Sequence, residues 1–322
     1  MDYILQLADD LILDNVWAKF VYFSSPAAIS SLPGNTTSIE DASTCMFIQS
    51  TIPHASEFSP HLCNWLARDY LPRQIVSILA LTLPGITAIY FIFSTLSYYY
   101  LFNHELMKHP RFLKNQVRLE IAYSLRIFPW LTLYGLPWFV GEVRGSSKLY
   151  TNVSDYGWTY LVLSIFVFMF FTDVAIYIAH RLLHHPLFYK RFHKLHHRWH
   201  IPTPFASYAF HPVEAFVQSL PYHSFAFIFP MQRYLYLGMF AFIYVWTVVI
   251  HDSDMTTGHS LEAIINGPSH HTLHHLYFNC NYGQYLSLAD RLGNSYRMPR
   301  PELDPLLEVK AVERAEGVNK LE

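Results

Sequence analysis

The sequence predicts an all-α integral membrane protein, a bundle of transmembrane helices with a histidine-rich two-metal site at its cytoplasmic face. Composition comes first: hydrophobic residues make up 52% of the 322 and charged residues only 14%, well under the roughly 25% of an ordinary soluble domain. The apolar residues are gathered into runs near the roughly 20 residues that a bilayer crossing needs. Ten of the nineteen histidines fall in three tight clusters, His180/His184/His185, His193/His196/His197 and His270/His271/His274/His275. Their i, i+3 and i, i+4 spacings place imidazoles on one face of a helix, and so many ionisable rings packed together cost stability unless something binds them. Lone histidines such as His54, His61 and His109 read as structural.

From the amino end, Met1–Phe23 is acidic at Asp2, Asp9, Asp10 and Asp14. A secretory signal has a basic start, so this stretch reads as a short amphipathic helix. A Ser/Thr/Pro-rich loop follows to about Pro60, with a sequon at Asn35 that the topology below places in the lumen. Spans are expected over Ile75–Phe102, with Pro84-Gly85 as a kink, over Ile121–Val140, interrupted by Arg126 and two prolines, and over Trp158–Ala179. The 34 apolar residues Val217–Ile250 are too long for one ordinary span and break at Pro230-Met-Gln-Arg-Tyr234, which predicts a helical hairpin. Two short crossings return the chain to one side, so all three clusters converge. Lys108, Arg111, Lys114 and Arg118, like Arg181, Lys190, Arg191, Lys194 and Arg198, make that side cytoplasmic by the positive-inside rule. The organisation is an amino-terminal segment (1–74), a membrane-embedded catalytic domain (75–299) and a polar tail (300–322).

Several classes are excluded. The net charge of −2 offers nothing to nucleic acid, and Cys45, Cys63 and Cys280 are too scattered for a disulfide framework. Lipid is the expected surround.

Within the third span, Asp173, Tyr177, His180 and His184 fall within about 60° of one another at 100° per residue. An aspartate in an apolar span is expensive and by default functional. Asp173 is therefore expected to accept the outer N–H of a ligating histidine; the competing reading pairs it with Tyr177 or a backbone group. Eight or more clustered histidines exceed what one zinc needs, so two metals are implied. There is no HExxH sequence, and no Glu-x-x-His pair of the soluble di-iron bundles. A histidine-rich di-iron site of the membrane oxygenase type remains, suited to O2 chemistry that side chains cannot perform alone.

Those boxes resemble the fatty acid hydroxylase superfamily. Phe210-His211-Pro-Val-Glu214, Pro221-Tyr-His223, Ile250-His251-Asp252, the run Asn266 to His275, Asn281-Tyr-Gly-Gln-Tyr285, Asp290-Arg-Leu-Gly293 and His109 to Gln116 resemble the C-5 sterol desaturase (lathosterol oxidase) family. The resemblance spans roughly Leu71 to Pro299. It implies an endoplasmic reticulum enzyme that removes two hydrogens from C5 and C6 of a Δ7-sterol, using O2, two irons per chain, and electrons from NAD(P)H through cytochrome b5 and its reductase. It implies His180, His184, His193, His196, His197, His271, His274 and His275 as iron ligands and His251 as a ninth, with His185 as the alternative to His184. His270 and His211 are further candidates; His200, His223 and His259 read as structural or as partners of ligands. Rival readings are a C-4 methylsterol oxidase or fatty acid 2-hydroxylase with the same boxes, a membrane metal transporter, whose ligands would sit at mid-membrane, and a non-catalytic sterol-binding scaffold.

Overall fold

The computed structural model describes residues 1–24 and 64–319. Asn35, Cys45, His54, His61 and Cys63 lie outside them, as does the Ser/Thr/Pro-rich loop. The protein is mostly helical and divides into two compact units, Met1–Pro84 with Gly135–Ser146, and Gly85–Tyr134 with Ser147–Glu322.

In the first unit, α1 (Asp2–Ala8) and α2 (Asp14–Ser24) are joined by a π-turn, Asp9–Leu13. Leu5 and Trp17 are both buried, yet on a continuous α-helix twelve residues would set them about 120° apart. The extra residue taken up by the π-turn brings them back to one face. That face meets the start of α3 (Leu71–Tyr100): Trp17 Nε1 donates to Ser77 Oγ at 3.0 Å, and buried Arg73 pairs with Asp9 at 2.8 Å. Tyr3, Leu7, Leu11, Val16 and Phe20 stay exposed, as expected of an amphipathic segment beside lipid.

In the second unit, the ends of α3 and α4 (Gln116–Val143) serve the segment that follows the second histidine cluster. Residues 201–209 are all buried, so their backbone groups need partners. Polar side chains on the two helices supply them. Gln116 Nε2 donates to Ile201 O at 2.7 Å, Tyr90 OH and Ser124 Oγ donate to Phe205 O, and Ser94 Oγ donates to Pro204 O. Glu120 accepts the Thr203 N–H.

Among the described residues, two helices are long and apolar enough to cross a membrane, α3 and α5 (Gly157–Leu183). Helix α3 runs through Pro84 as one element. Helix α4 has the length, at 28 residues, but not the apolarity, because Arg126 and the flanking polar residues dilute it. The predicted hairpin forms: α7 (Pro212–Ile228) and α8 (Arg233–Val249), after a short α6 (Pro186–Phe188), are each cut to 17 residues by the break at Pro230. Gln232 caps α8 by accepting the Leu235 N–H at 2.8 Å. Residues Leu149–Tyr150 (β1) pair in parallel with Met231–Gln232 (β2), which pins the hairpin tip. Phe168, Ile176, Tyr222, Phe225, Met239, Ile243 and Tyr285 form the core between α5 and the hairpin.

Three helices complete the chain: α9 (Pro268–Tyr277), α10 (Leu288–Leu292) and α11 (Leu306–Asn319). The polar tail is thus partly helical, and it is tied down by Arg111 to Glu308 at 2.7 Å.

Candidate metal centre

Each element delivers its histidines for a local reason. His180 lies on the last turn of α5 and His184 follows it as the C-cap. His193 ends a π-turn, Tyr189–His193, and His196 and His197 share a tight 3-10 turn, so neighbouring rings diverge. His251 follows the end of α8, where the hairpin returns. Helix α9 begins with Pro268 in its first turn, where a missing N–H costs nothing, and presents His271, His274 and His275.

The rings sort into two groups. His180, His184, His193, His197 and His274 form one; His196, His251, His271 and His275 form the other. In the first, Nε2 of His193 lies 2.9 Å from that of His184, 3.0 Å from that of His197 and 3.2 Å from that of His180, and Nε2 of His274 lies 3.1 Å from that of His197. In the second, Nε2 of His271 lies 3.1 Å from those of His251 and His275, and Nε2 of His251 lies 3.5 Å from that of His196. The groups adjoin, the rings of His197 and His275 being 5.0 Å apart.

The other ring nitrogens decide what these contacts mean. Nδ1 of His180 meets Tyr282 O at 3.0 Å, that of His274 meets Cys280 O at 2.8 Å, that of His275 meets Trp199 O at 2.9 Å and that of His251 meets Thr247 O at 2.6 Å. Nδ1 of His193 meets Glu214 Oε1 at 2.8 Å, both side chains being fully buried. A carbonyl or carboxylate oxygen accepts only from N–H, so in these five rings the proton sits on Nδ1 and the Nε2 lone pairs point inward. Lone pairs about 3 Å apart repel. A cation between them removes the conflict, and two imidazole nitrogens about 2.1 Å from one ion at right angles stand about 3 Å apart. The donor set therefore fits a metal in each group.

Electrostatics agree. Burial, reinforced by the neighbouring rings, holds His193, His196, His197, His271, His274 and His275 well below the ordinary histidine range, and burial takes His251 down to about 4. All are neutral at physiological pH, the form that ligates metal. Nitrogen-only donors suit iron, zinc, copper and nickel.

Three expected site residues stand elsewhere. His185 is exposed and outside both groups: its Nδ1 accepts the Leu187 N–H at 3.3 Å, capping a short turn, so His184 takes the place left open between the two. His270 is buried, but its ring packs against Tyr296 and joins neither group. Among the described residues Asp173 meets no imidazole; its Oδ1 accepts the backbone N–H groups of Gln284, Tyr285 and Leu286. Its helical face is the expected one, but backbone amides reach it first. His211 caps α7 through the Val213 N–H. His200 lies against Phe278, His223 against Phe240, and His259 is exposed.

The partner missed from the sequence is Glu214, whose acid stands in the first turn of an apolar helix. Its position in the Phe-His-Pro-Val-Glu run was visible; its contact with His193, 21 residues away, was not.

The fatty acid hydroxylase family matches residues 165–295, a range holding every member of both groups. Over 318 residues the chain is 46% identical to a Delta(7)-sterol 5(6)-desaturase of Gibberella zeae, covering 99% of this chain and 96% of the relative. It is 51% identical over 271 residues to a Delta(7)-sterol 5(6)-desaturase of Aspergillus fumigatus, covering 78% and 85%. With the lathosterol oxidase of Homo sapiens it shares 49% over 246 residues, covering 75% and 82%. No solved structure matches it significantly.

Proposed function

The chain belongs to the Delta(7)-sterol 5(6)-desaturase family, and on that premise we propose that it is a membrane oxidoreductase of sterol biosynthesis that introduces the C5–C6 double bond of a Δ7-sterol. The observation that carries the reading is the inward convergence of nine imidazole nitrogens, five of them on rings whose Nδ1 is already engaged by a carbonyl or carboxylate oxygen.

The five-histidine group and the four-histidine group each hold one iron. Bound there, the pair supplies the redox chemistry with O2 that no side chain provides. Overall, two hydrogens leave the sterol, two electrons and two protons are added, and one O2 becomes two waters. The electrons come from NAD(P)H by way of cytochrome b5 and its reductase.

The chain's own residues bind, orient and shield. Tyr282, Cys280, Trp199 and Thr247 lend backbone carbonyls that fix four ring orientations. Glu214 fixes a fifth and raises the basicity of His193. Trp199 and Leu273, next in sequence to His200 and His274, are fully buried. Each hairpin helix, 17 residues long, reaches about 25 Å at 1.5 Å per residue. That suffices for two short, partly submerged crossings of a core of about 30 Å. Both groups then lie on one face, which the arginines and lysines of residues 103–120 and 181–198 make cytoplasmic in the endoplasmic reticulum.

Microsomes carrying the protein test the reading when supplied with NAD(P)H and O2 and given, separately, a Δ7-sterol, a 4-methylsterol and a fatty acid. The expected product is the Δ5,7-sterol from the first alone. Oxidation of either other substrate in its place overturns the assignment.

A further inference from the structure

Five consecutive backbone amides, Tyr282 to Leu286, donate to two buried carboxylates. Asp290 accepts from Tyr282 and Gly283, each at 2.8 Å. Asp173 accepts from Gln284 at 3.0 Å, Tyr285 at 2.7 Å and Leu286 at 3.1 Å through one oxygen, Oδ1. Asn266 clasps the same strap, donating to Gly283 O and Asp290 Oδ2. The fit is close at Gly283, where an added Cβ would stand 2.7 Å from both Asn266 Nδ2 and Leu286 O. Near the start of the strap Asn281 stands in the left-handed region at φ 55°, and its side-chain Nδ2 donates to His270 O and Arg297 O.

Just where this strap begins, its carbonyls face the metal centre. Cys280 O takes Nδ1 of His274, and Tyr282 O takes Nδ1 of His180. Both rings belong to the five-histidine group. The outer contacts of the four-histidine group are Thr247 O and Trp199 O, carbonyls from other segments. The strap does touch α8: Gln284 O accepts from Trp246 Nε1, and Gln284 Nε2 donates to Thr247 Oγ1 at 3.4 Å. The Thr247 carbonyl that holds His251 nevertheless belongs to the α8 backbone and not to the strap.

We propose that Asp173 and Asp290 are positioning residues for the five-histidine site, setting His180 and His274 through the Cys280–Leu286 strap. Neither touches the metal or the substrate. Amides lined up on a carboxylate make strong, charge-assisted hydrogen bonds, so the two acids turn a segment without regular structure into a rigid mount. An aspartate embedded in an apolar helix thereby gains a function without meeting a ligand. The inference rests on the two-metal reading above.

Full-length protein in detergent, loaded with Zn2+ alone, tests it by release of metal to a chromogenic chelator. Wild type is expected to hold two ions per chain. In Asp173→Asn, which keeps an acceptor oxygen but loses the charge, one ion of the two should leave about 10- to 100-fold faster, the size of effect seen when an outer partner of a ligand is lost, while the other leaves at the wild-type rate. Gly283→Ala, which displaces the strap and alters no acid, should give the same selective loss. Wild-type release of both ions in both variants, or equal acceleration of both ions, overturns the proposal. Should Asp173→Asn not accumulate as folded protein, Gly283→Ala alone decides between these outcomes. Wild-type protein that holds no ion overturns the two-metal reading instead.

Discussion

The five-histidine and four-histidine groups use the same side chain in different settings. The first is braced by charge: Glu214 lies on His193, and two aspartates brace the strap that aims His180 and His274. The second is braced by neutral carbonyls alone, Thr247 O on His251 and Trp199 O on His275; Nδ1 of His196, like that of His197 in the first, has no hydrogen-bond partner among the described residues. A carboxylate behind an imidazole makes it a stronger donor. The two metals are thus expected to differ in electron density and in how firmly they are held.

The largest effect is expected from removing one ligand in each group. His274→Ala and His196→Ala should each bring the Δ5,7-sterol below detection in cells, with protein level near wild type, because in the proposed function both groups serve one reaction. Sterol profiling with immunoblotting checks this, and a dispensable group would break the pairing. Metal analysis of the same variants should find one ion where wild type holds two.

Glu214 comes next. Glu214→Ala should lower metal affinity at the five-histidine group by about 10- to 100-fold, and Glu214→Gln, whose amide oxygen still accepts the His193 N–H, should lose less. Competition with a chelator measures both. Wild-type affinity in Glu214→Gln beside a loss in Glu214→Ala would show that shape rather than charge matters at His193, which would remove one of the two differences between the groups.

A smaller change should follow when the hairpin is questioned without touching a ligand. Tags inserted after Arg198 and after Ser253 should report the same membrane face by protease or thiol-label access, with little loss of metal if folding persists. Opposite faces would separate His196 from His271 by a bilayer.

The smallest effects belong to the histidines outside both groups. His185→Ala should lose only a turn cap, about 1 kcal/mol of local stability, and keep activity within about twofold of wild type. A loss comparable to that of His274→Ala would return His185 to the first group.

Much of this architecture was legible in the chain. The break at Pro230 and the length of Val217–Ile250 called for a hairpin, and α7 and α8 form it. The apolar run before His180 called for one long helix, and α5 is that helix. Asp173 was legible only in part. Period and hydropathy put it on the face of His180 and marked it as costly, but a helical wheel cannot tell whether a ring or a backbone amide will arrive there. The amides come from residues 111 to 113 positions away. Glu214 went unassigned for the same reason, and α4 formed at the expected place with less apolarity than a span asks for.

The sequence by itself determined that histidines at i, i+3 and i, i+4 would share helix faces, that there were enough of them for two metals, and that apolar runs would carry them. Only the tertiary structure decided how the rings divide. The clusters of the sequence are not the groups of the fold: His193 and His197 go one way and His196 the other, and His274 leaves His271 and His275. On one helical turn, residues four apart point together while an adjacent residue turns away by about 100°. Each cluster therefore faces two directions, and which ring meets which depends on where α5, α8 and α9 come to rest. That placement is set by burial of distant apolar faces and by contacts such as Asp173 with the strap across the fold, interactions between residues that local periodicity cannot pair.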